Sequence, residues 1–404
     1  MKPSLLFLIQ RLPYPPTKGE KIRALQIFKY LGRWYDMYLG CLMDDPADAE
    51  HIETVRAMCL DLHVAPLNPR LARITCLRGL FTGEALSVTY FRDRGLARWV
   101  RNIVTQVRPD VIFVYSSNMA PYILDLPYEG LRVVDLVDVD SEKWRAYTDG
   151  KHGPMRWIHR REWQKVAALE HRIARECDLA SFVSDAEAAL FTSLAPDCAK
   201  RILGVSNGVD HDYFNPARDY PTVYDPDLPT YVFTGTMDYP PNADAVIWFA
   251  TEILPMIQRS LPTAQFYIVG HSPREDVRRL AQIRGVHVTG RVADVRPYVA
   301  HATASVAPLR IARGIQNKVL EAMSLGKPVV VTAGALEGIE ALPGDEVILA
   351  DNSASFAAAC VGLATGHHGI GIGLSARARV LKSYNWSARL SRFDNVLRPA
   401  EASV

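Results

Sequence analysis

Between Ala307 and Val331 the sequence reads APLRIARGIQNKVLEAMSLGKPVVV, which places Arg310, Arg313, Gly314, Lys318 and Glu321 within twelve residues. The order is apolar run, cationic turn, helical stretch, glycine stop, second apolar run. Free N–H groups at a helix start bind anions, and glycine lets a phosphate approach the main chain. Gly314, Ile315, Gln316 and Asn317 stand where that helix would begin. Arg310 can grip a diphosphate in bidentate fashion, and Lys318 can add a point charge. Glu321 lies three residues beyond Lys318 on the same helical face. A carboxylate there can accept hydrogen bonds from sugar or ribose hydroxyls. A surface turn with capping charges would use the same residue types. Other chemistries lack their signatures: no G-x-G-x-x-G follows a strand, and there is no P-loop, H-E-x-x-H or G-x-S-x-G.

Such loops need strands to carry them. Short β-branched or aromatic runs alternate with helix-period segments, the pattern of parallel α/β architecture. Strands are predicted at 4–9, 37–43, 111–115, 131–137 and 179–183, with a helix after the proline-rich loop that ends near Gly19. The pattern restarts near Val205, with strands predicted at 230–234, 265–269, 286–289, 305–308, 328–332 and 346–350. Two such runs predict two doubly wound, Rossmann-like domains. Their expected bounds are 1–205 and 206–383, with a C-terminal helix and tail over 384–404. The stretch Asn215–Pro229 holds four prolines and few apolar residues, as a linker would.

At 404 residues, 49% of them apolar, two domains can each bury a core, and disorder is excluded as the dominant state. Lys+Arg is 46 against Asp+Glu 44, which argues against nucleic acid as a partner held by bulk charge. The first apolar run, Leu5–Ile9, is too short for a signal peptide, and no stretch reaches spanning length. A cytoplasmic protein is expected. Six scattered cysteines fit reduced thiols. The predicted helix at 154–177 is basic and carries Trp157 and Trp163. Such a helix suits either a salt-bridged surface or a peripheral contact with the inner face of the cytoplasmic membrane.

The Arg310–Met323 segment resembles the donor-site motif of retaining GT-B glycosyltransferases (group 1, or family 4-like), in which two glutamates eight residues apart flank a glycine-rich turn. Glu321-Ala-Met matches the second glutamate; Arg313 stands where the first is expected. Ser206-Asn207-Gly208-Val209-Asp210 with Tyr213-Phe214-Asn215-Pro216 resembles the family's interdomain hinge. Gly235-Thr-Met237-Asp, with Asn242, resembles the first loop of its nucleotide-sugar domain, without the lysine often found there; Lys318 would supply that charge. Pro15-Pro-Thr-Lys-Gly19 resembles its acceptor-side glycine loop, with Lys21 just beyond. Arg11-Leu-Pro-Tyr-Pro-Pro and the stretch from Asp135 to Trp144 further resemble sugar transferases associated with PEP-CTERM/exosortase systems. The resemblance implies two Rossmann-like domains facing across a cleft, a nucleotide-diphosphate sugar as substrate, and no other cofactor. It implies a glycan or lipid-linked glycan acceptor and work in exopolysaccharide synthesis. Asp138-Val-Asp140 is similar to the metal-binding pair of a different glycosyltransferase fold. Here it sits in the first half, away from the donor-type motifs, so no metal is expected. Asp138 is instead taken as a polar residue at a strand end, with Arg310 and Lys318 as the other catalytic candidates. A nucleotide-sugar epimerase or hydrolase of the same fold, or a non-catalytic scaffold, are the alternatives.

Overall fold

The computed structural model describes residues 2–16, 19–148, 153–310, 315–366 and 371–399. The chain forms two compact units, Met1–Asn207 with Leu390–Val404, and Gly208–Arg389. The first unit holds a parallel sheet of β1 (Ser4–Ile9), β2 (Asp36–Met43), β3 (Asp61–Pro66), β4 (Val111–Tyr115), β5 (Leu131–Val137), β6 (Leu179–Phe182) and β7 (Ile202–Gly204), in the order β3-β2-β1-β4-β5-β6-β7. Residues Leu5 to Leu8 are wholly buried, because helices cover both faces of a parallel sheet. Continuous apolar runs, not alternating ones, are therefore what these strands require. Leu5 lies between Met37 on one side and Val111 on the other.

The C-terminal residues complete this unit. Leu390, Phe393 and Leu397 are fully buried, and the Phe393 ring meets Phe113 edge-on at 5.7 Å. Tyr30 donates to the Asp394 carboxylate at 2.6 Å, and Tyr35 to the Leu397 carbonyl at 2.6 Å.

The second unit repeats the plan with β8 (Thr230–Thr234), β9 (Gln265–Val269), β10 (Val286–Gly290), β11 (Ala304–Ala307), β12 (Val329–Val331) and β13 (Ile348–Leu349), ordered β10-β9-β8-β11-β12-β13. The stretch Asn215–Pro229 has a linker's composition but packs as part of this unit. Tyr224 is buried, meets the Tyr267 ring at a tilt with centroids 4.4 Å apart, and donates to the Tyr298 carbonyl. The strand predicted over 346–350 shrinks to two residues, since the Glu346 N–H turns back to the Leu342 carbonyl, while its carboxylate accepts from the Leu342 N–H and Arg379. In each sheet the chain order reverses between the two central strands, β1 and β4 or β8 and β11. Beyond the carboxyl ends of such a pair lies the usual ligand position of a doubly wound sheet.

Candidate functional site

At the end of β8 the chain turns through Gly235 into the helix Pro240–Trp248. Two loops nearly touch here. A Cβ on Gly270, just after β9, would fall 1.7 Å from the Gly235 carbonyl oxygen, so only glycine fits. A Cβ on Gly235 would lie 2.8 Å from Asn242 Nδ2 and 3.3 Å from Lys318 Nζ. Asn242 is fixed by its own amide, which donates to the Thr236 carbonyl at 2.9 Å. Its Oδ1 accepts from Lys318 Nζ at 2.6 Å, and the same ammonium sits 4.2 Å from the Phe233 ring centroid. Gly235, Asn242 and Lys318 are thus brought together at the β8/β11 reversal, with Glu321 one turn further along the Lys318 helix.

The helix Asn317–Ser324 positions the last two. Val319, Leu320, Ala322 and Met323 are its buried face, which leaves Asn317, Lys318 and Glu321 turned the other way. The side chain of its N-cap, Gln316, does not cap the helix. Ser324 anchors the far end by donating to the Phe214 carbonyl at 2.9 Å. Phe214 belongs to the motif that begins at Ser206. Within that motif the Tyr213 N–H donates to Asp210, and the Arg296 guanidinium covers the Tyr213 ring at 3.7 Å. Lys318 and Glu321 are each only partly exposed. Burial lowers the Lys318 ammonium to about 7 and raises the Glu321 carboxyl to about 7, each effect opposed in part by the other's charge.

The other sequence-predicted residues are placed differently. Arg310, beyond β11, is half exposed and forks onto Asp244 of the helix Pro240–Trp248, with Nε 3.0 Å from Oδ2. Its guanidinium is therefore held, not free. Met237 is wholly buried, so its side chain belongs to the core; its N–H donates to the His271 carbonyl. Ile315 packs against Gly338. Arg313 and Gly314 lie outside the described residues.

In the first unit Gly19 opens the helix Gly19–Leu31 and is exposed. Lys21 is buried and bonds Asp48 at 2.6 Å, so it braces that helix and is not offered to a ligand. Asp138 and Asp140 do not continue the strand. Val137 has φ +71, and the Asp138 N–H donates back to the Leu136 carbonyl, a tight γ-turn strained for a β-branched residue. Both carboxylates then bond Lys143, at 2.7 and 3.0 Å. Arg23, which no motif in the sequence singles out, is fully buried and bonded to Asp135, the Val205 carbonyl and Asn207 Oδ1. Its only sequence signal is a charge amid the apolar positions of that helix.

Residues 228–365, within the second unit, match the sequence family described as glycosyl transferases group 1. Similar solved structures span the whole chain. Sucrose-phosphate synthase from Thermosynechococcus elongatus aligns over 99% of this chain and 100% of its own at 17% identity and TM-score 0.66. Anabaena HepE in complex with UDP aligns over 98% and 99% at 15% identity and TM-score 0.63. The fold is GT-B. WaaG, a glycosyltransferase involved in lipopolysaccharide biosynthesis, shares that GT-B fold over 98% of this chain and 100% of its own, at 17% identity and TM-score 0.64. No curated protein matches by sequence.

Proposed function

We propose that the protein is a glycosyltransferase that moves a sugar from a nucleotide diphosphate to an acceptor hydroxyl with retention. The carrying observation is the Lys318 ammonium, set beside Gly235 at the chain reversal of the second sheet. The HepE structures that hold UDP and UDP-glucose support a nucleotide-sugar donor. The barrier to such transfer is charge separation, since an oxocarbenium-like sugar forms as charge grows on the leaving phosphate. Preorganised cations and N–H dipoles aimed at that phosphate are the largest expected contribution. Lys318, the start of the Asn317–Ser324 helix and Gly314 take this role, and no metal is needed for it. Arg310 joins them by exchanging Asp244 for phosphate. Glu321 receives ribose hydroxyls. Gly235, Asn242, Arg313, Ile315 and Gln316 shape the donor side; Gly19 serves the acceptor side with Lys21 bracing it, and Asp138 is the polar strand-end residue that meets donor sugar or acceptor. A glycan or lipid-linked glycan acceptor, exopolysaccharide work of the PEP-CTERM-associated kind, and a cytoplasmic location at the inner face of the membrane complete the reading.

The test is a thermal-shift panel of nucleoside diphosphates, followed by transfer assays with the responding nucleotide's sugars. A ligand at 100 times its Kd should stabilise by about 2.7 kcal/mol. A flat panel favours a scaffold, and donor turnover without any acceptor favours an epimerase or hydrolase. A nucleotide found bound away from Lys318 overturns the site.

A further inference from the structure

The first unit carries an exposed face that the donor chemistry does not use. Its two segments are the helical stretch from Pro69 to Thr82 and the first turns of the helix Pro154–Glu176. Arg161 ties them together by donating to the Gly79 carbonyl and, just beyond, to that of Glu84, while the buried Glu162 accepts from the Leu86 and Ser87 N–H groups that follow. Leu71, Ile74, Leu77, Phe81, Met155 and Trp157 all stand exposed there, Phe81 at 91%. Leu71, Ile74 and Phe81 recur at helical spacing, while Ala72 and Gly79 on the opposite face are buried. The apolar stripe therefore points at solvent, the reverse of a surface helix's usual arrangement.

The charges on this face have one sign. Arg70, Arg73, Arg78, Arg156 and Arg160 are exposed, and none forms an ion pair with a described residue. No Asp or Glu occurs between Pro69 and Thr82 or between Gly153 and Arg161, although the whole chain is only +2. Beside the two segments opens a groove of about 450 Å³ walled by Leu86, Tyr90, Phe91, Trp144, Met155 and Ile158, with Arg11, Arg73, His159 and Glu162 among its other lining residues. That volume is in the range of small-ligand sites, and the walls are mainly apolar.

We infer that this face seats the protein on an anionic phospholipid surface, and that the groove takes an apolar chain from a lipid lying there. Exposed apolar side chains interleaved with arginines that no described carboxylate engages are complementary to a bilayer interface, where the rings enter and the guanidinium groups meet lipid phosphates. Docking stands independently of the transfer reading. Only its corollary, that the sugar acceptor is borne on a lipid chain, rests on that reading.

Flotation of the full chain with phosphatidylcholine vesicles, with and without phosphatidylglycerol, tests this. Binding is expected to the anionic vesicles alone and to weaken with salt. Reversing Arg73→Glu and Arg78→Glu together should cost about thirtyfold or more in affinity. Phe81→Ser with Trp157→Ser should also release the protein, even at low salt. These side chains are exposed, so the variants should keep the wild-type response to nucleoside diphosphates. Wild-type protein that stays unbound, or binding unchanged in either double variant, overturns docking. Lipid chains brominated along their length should quench tryptophan emission less in Trp144→Phe than in wild type; equal quenching removes the chain from the groove. Vesicle binding without any nucleotide response sinks the transfer reading and leaves the docking intact.

Discussion

In the proposed donor site, Lys318 and Glu321 make nucleotide binding proton-linked. Free Lys318 titrates near 7 because burial disfavours its charge, and an incoming diphosphate must favour it. Binding above pH 7 therefore takes up a proton, and affinity should fall by up to about tenfold per unit between pH 7.5 and 9. In Lys318→Gln that slope should vanish, and turnover should drop by about 10²–10³. Calorimetry in buffers of different ionisation enthalpy checks the proton uptake; none at pH 8 would remove the ammonium from the site. Without ligand the pair leaves its own mark on stability. Glu321 is raised from 4.5 to about 7, so its contribution is present below 4.5 and lost as pH climbs to 7. Lys318 is lowered from 10.5 to about 7, so its contribution is present above 10.5 and lost as pH falls to 7. The two together place a stability minimum near pH 7. Arg23 has a purely structural stake. Its removal in Arg23→Met strands the buried Asp135 carboxylate and should cost about 3–5 kcal/mol in a urea titration.

At the scale of elements, the loops leaving β8 and β9 can approach so closely because Gly235 and Gly270 carry no side chains. In Gly270→Ala the new methyl would collide with the Gly235 carbonyl, so the loops must part. A cost of about 1–3 kcal/mol is expected, along with at least a tenfold loss of nucleotide affinity. Gly290→Ala is the matched control: φ is +67 there, but nothing lies within 4 Å of the added atom. It should carry a backbone cost of about 1–2 kcal/mol and leave affinity intact. Equal affinity losses would mean that loop spacing is not what matters. The strands bearing these loops were readable because burial on both faces demands unbroken apolar runs: β1, β4, β5, β8 and β9 have the predicted bounds. β3, with Asp61 and His63, and the three-residue β7 were not, since edge strands are half solvated and carry no such run. Local spacing also showed Lys318 beside Glu321 on one helical face. It could not show that Asp244, 66 residues away, clamps Arg310, or that Arg23 reaches Asp135 across 112 residues.

For the whole molecule, the consequential feature is that the first unit is discontinuous in sequence. The chain leaves it after Asn207, builds the second unit, and returns at Leu390. The returning segment contributes Leu390, Phe393 and Leu397, all at full burial. At about 1.5–3 kcal/mol for each buried side chain, they supply about 5–9 kcal/mol as an upper bound. That is comparable to the whole stability of a typical domain, about 5–15 kcal/mol. The second unit keeps its own closure without them, since the Val209 N–H donates to the Tyr384 carbonyl and Gly208 packs directly against Trp386. A chain ending at Arg389 should therefore lose or greatly lower the first unit's melting transition. The second unit's transition should persist and still rise with nucleoside diphosphate. Scanning calorimetry of the two chains, with and without nucleotide, separates these outcomes. An unshifted first transition would show that the C-terminal residues decorate that core without holding it; a lost nucleotide response would show that the donor site depends on the first unit after all.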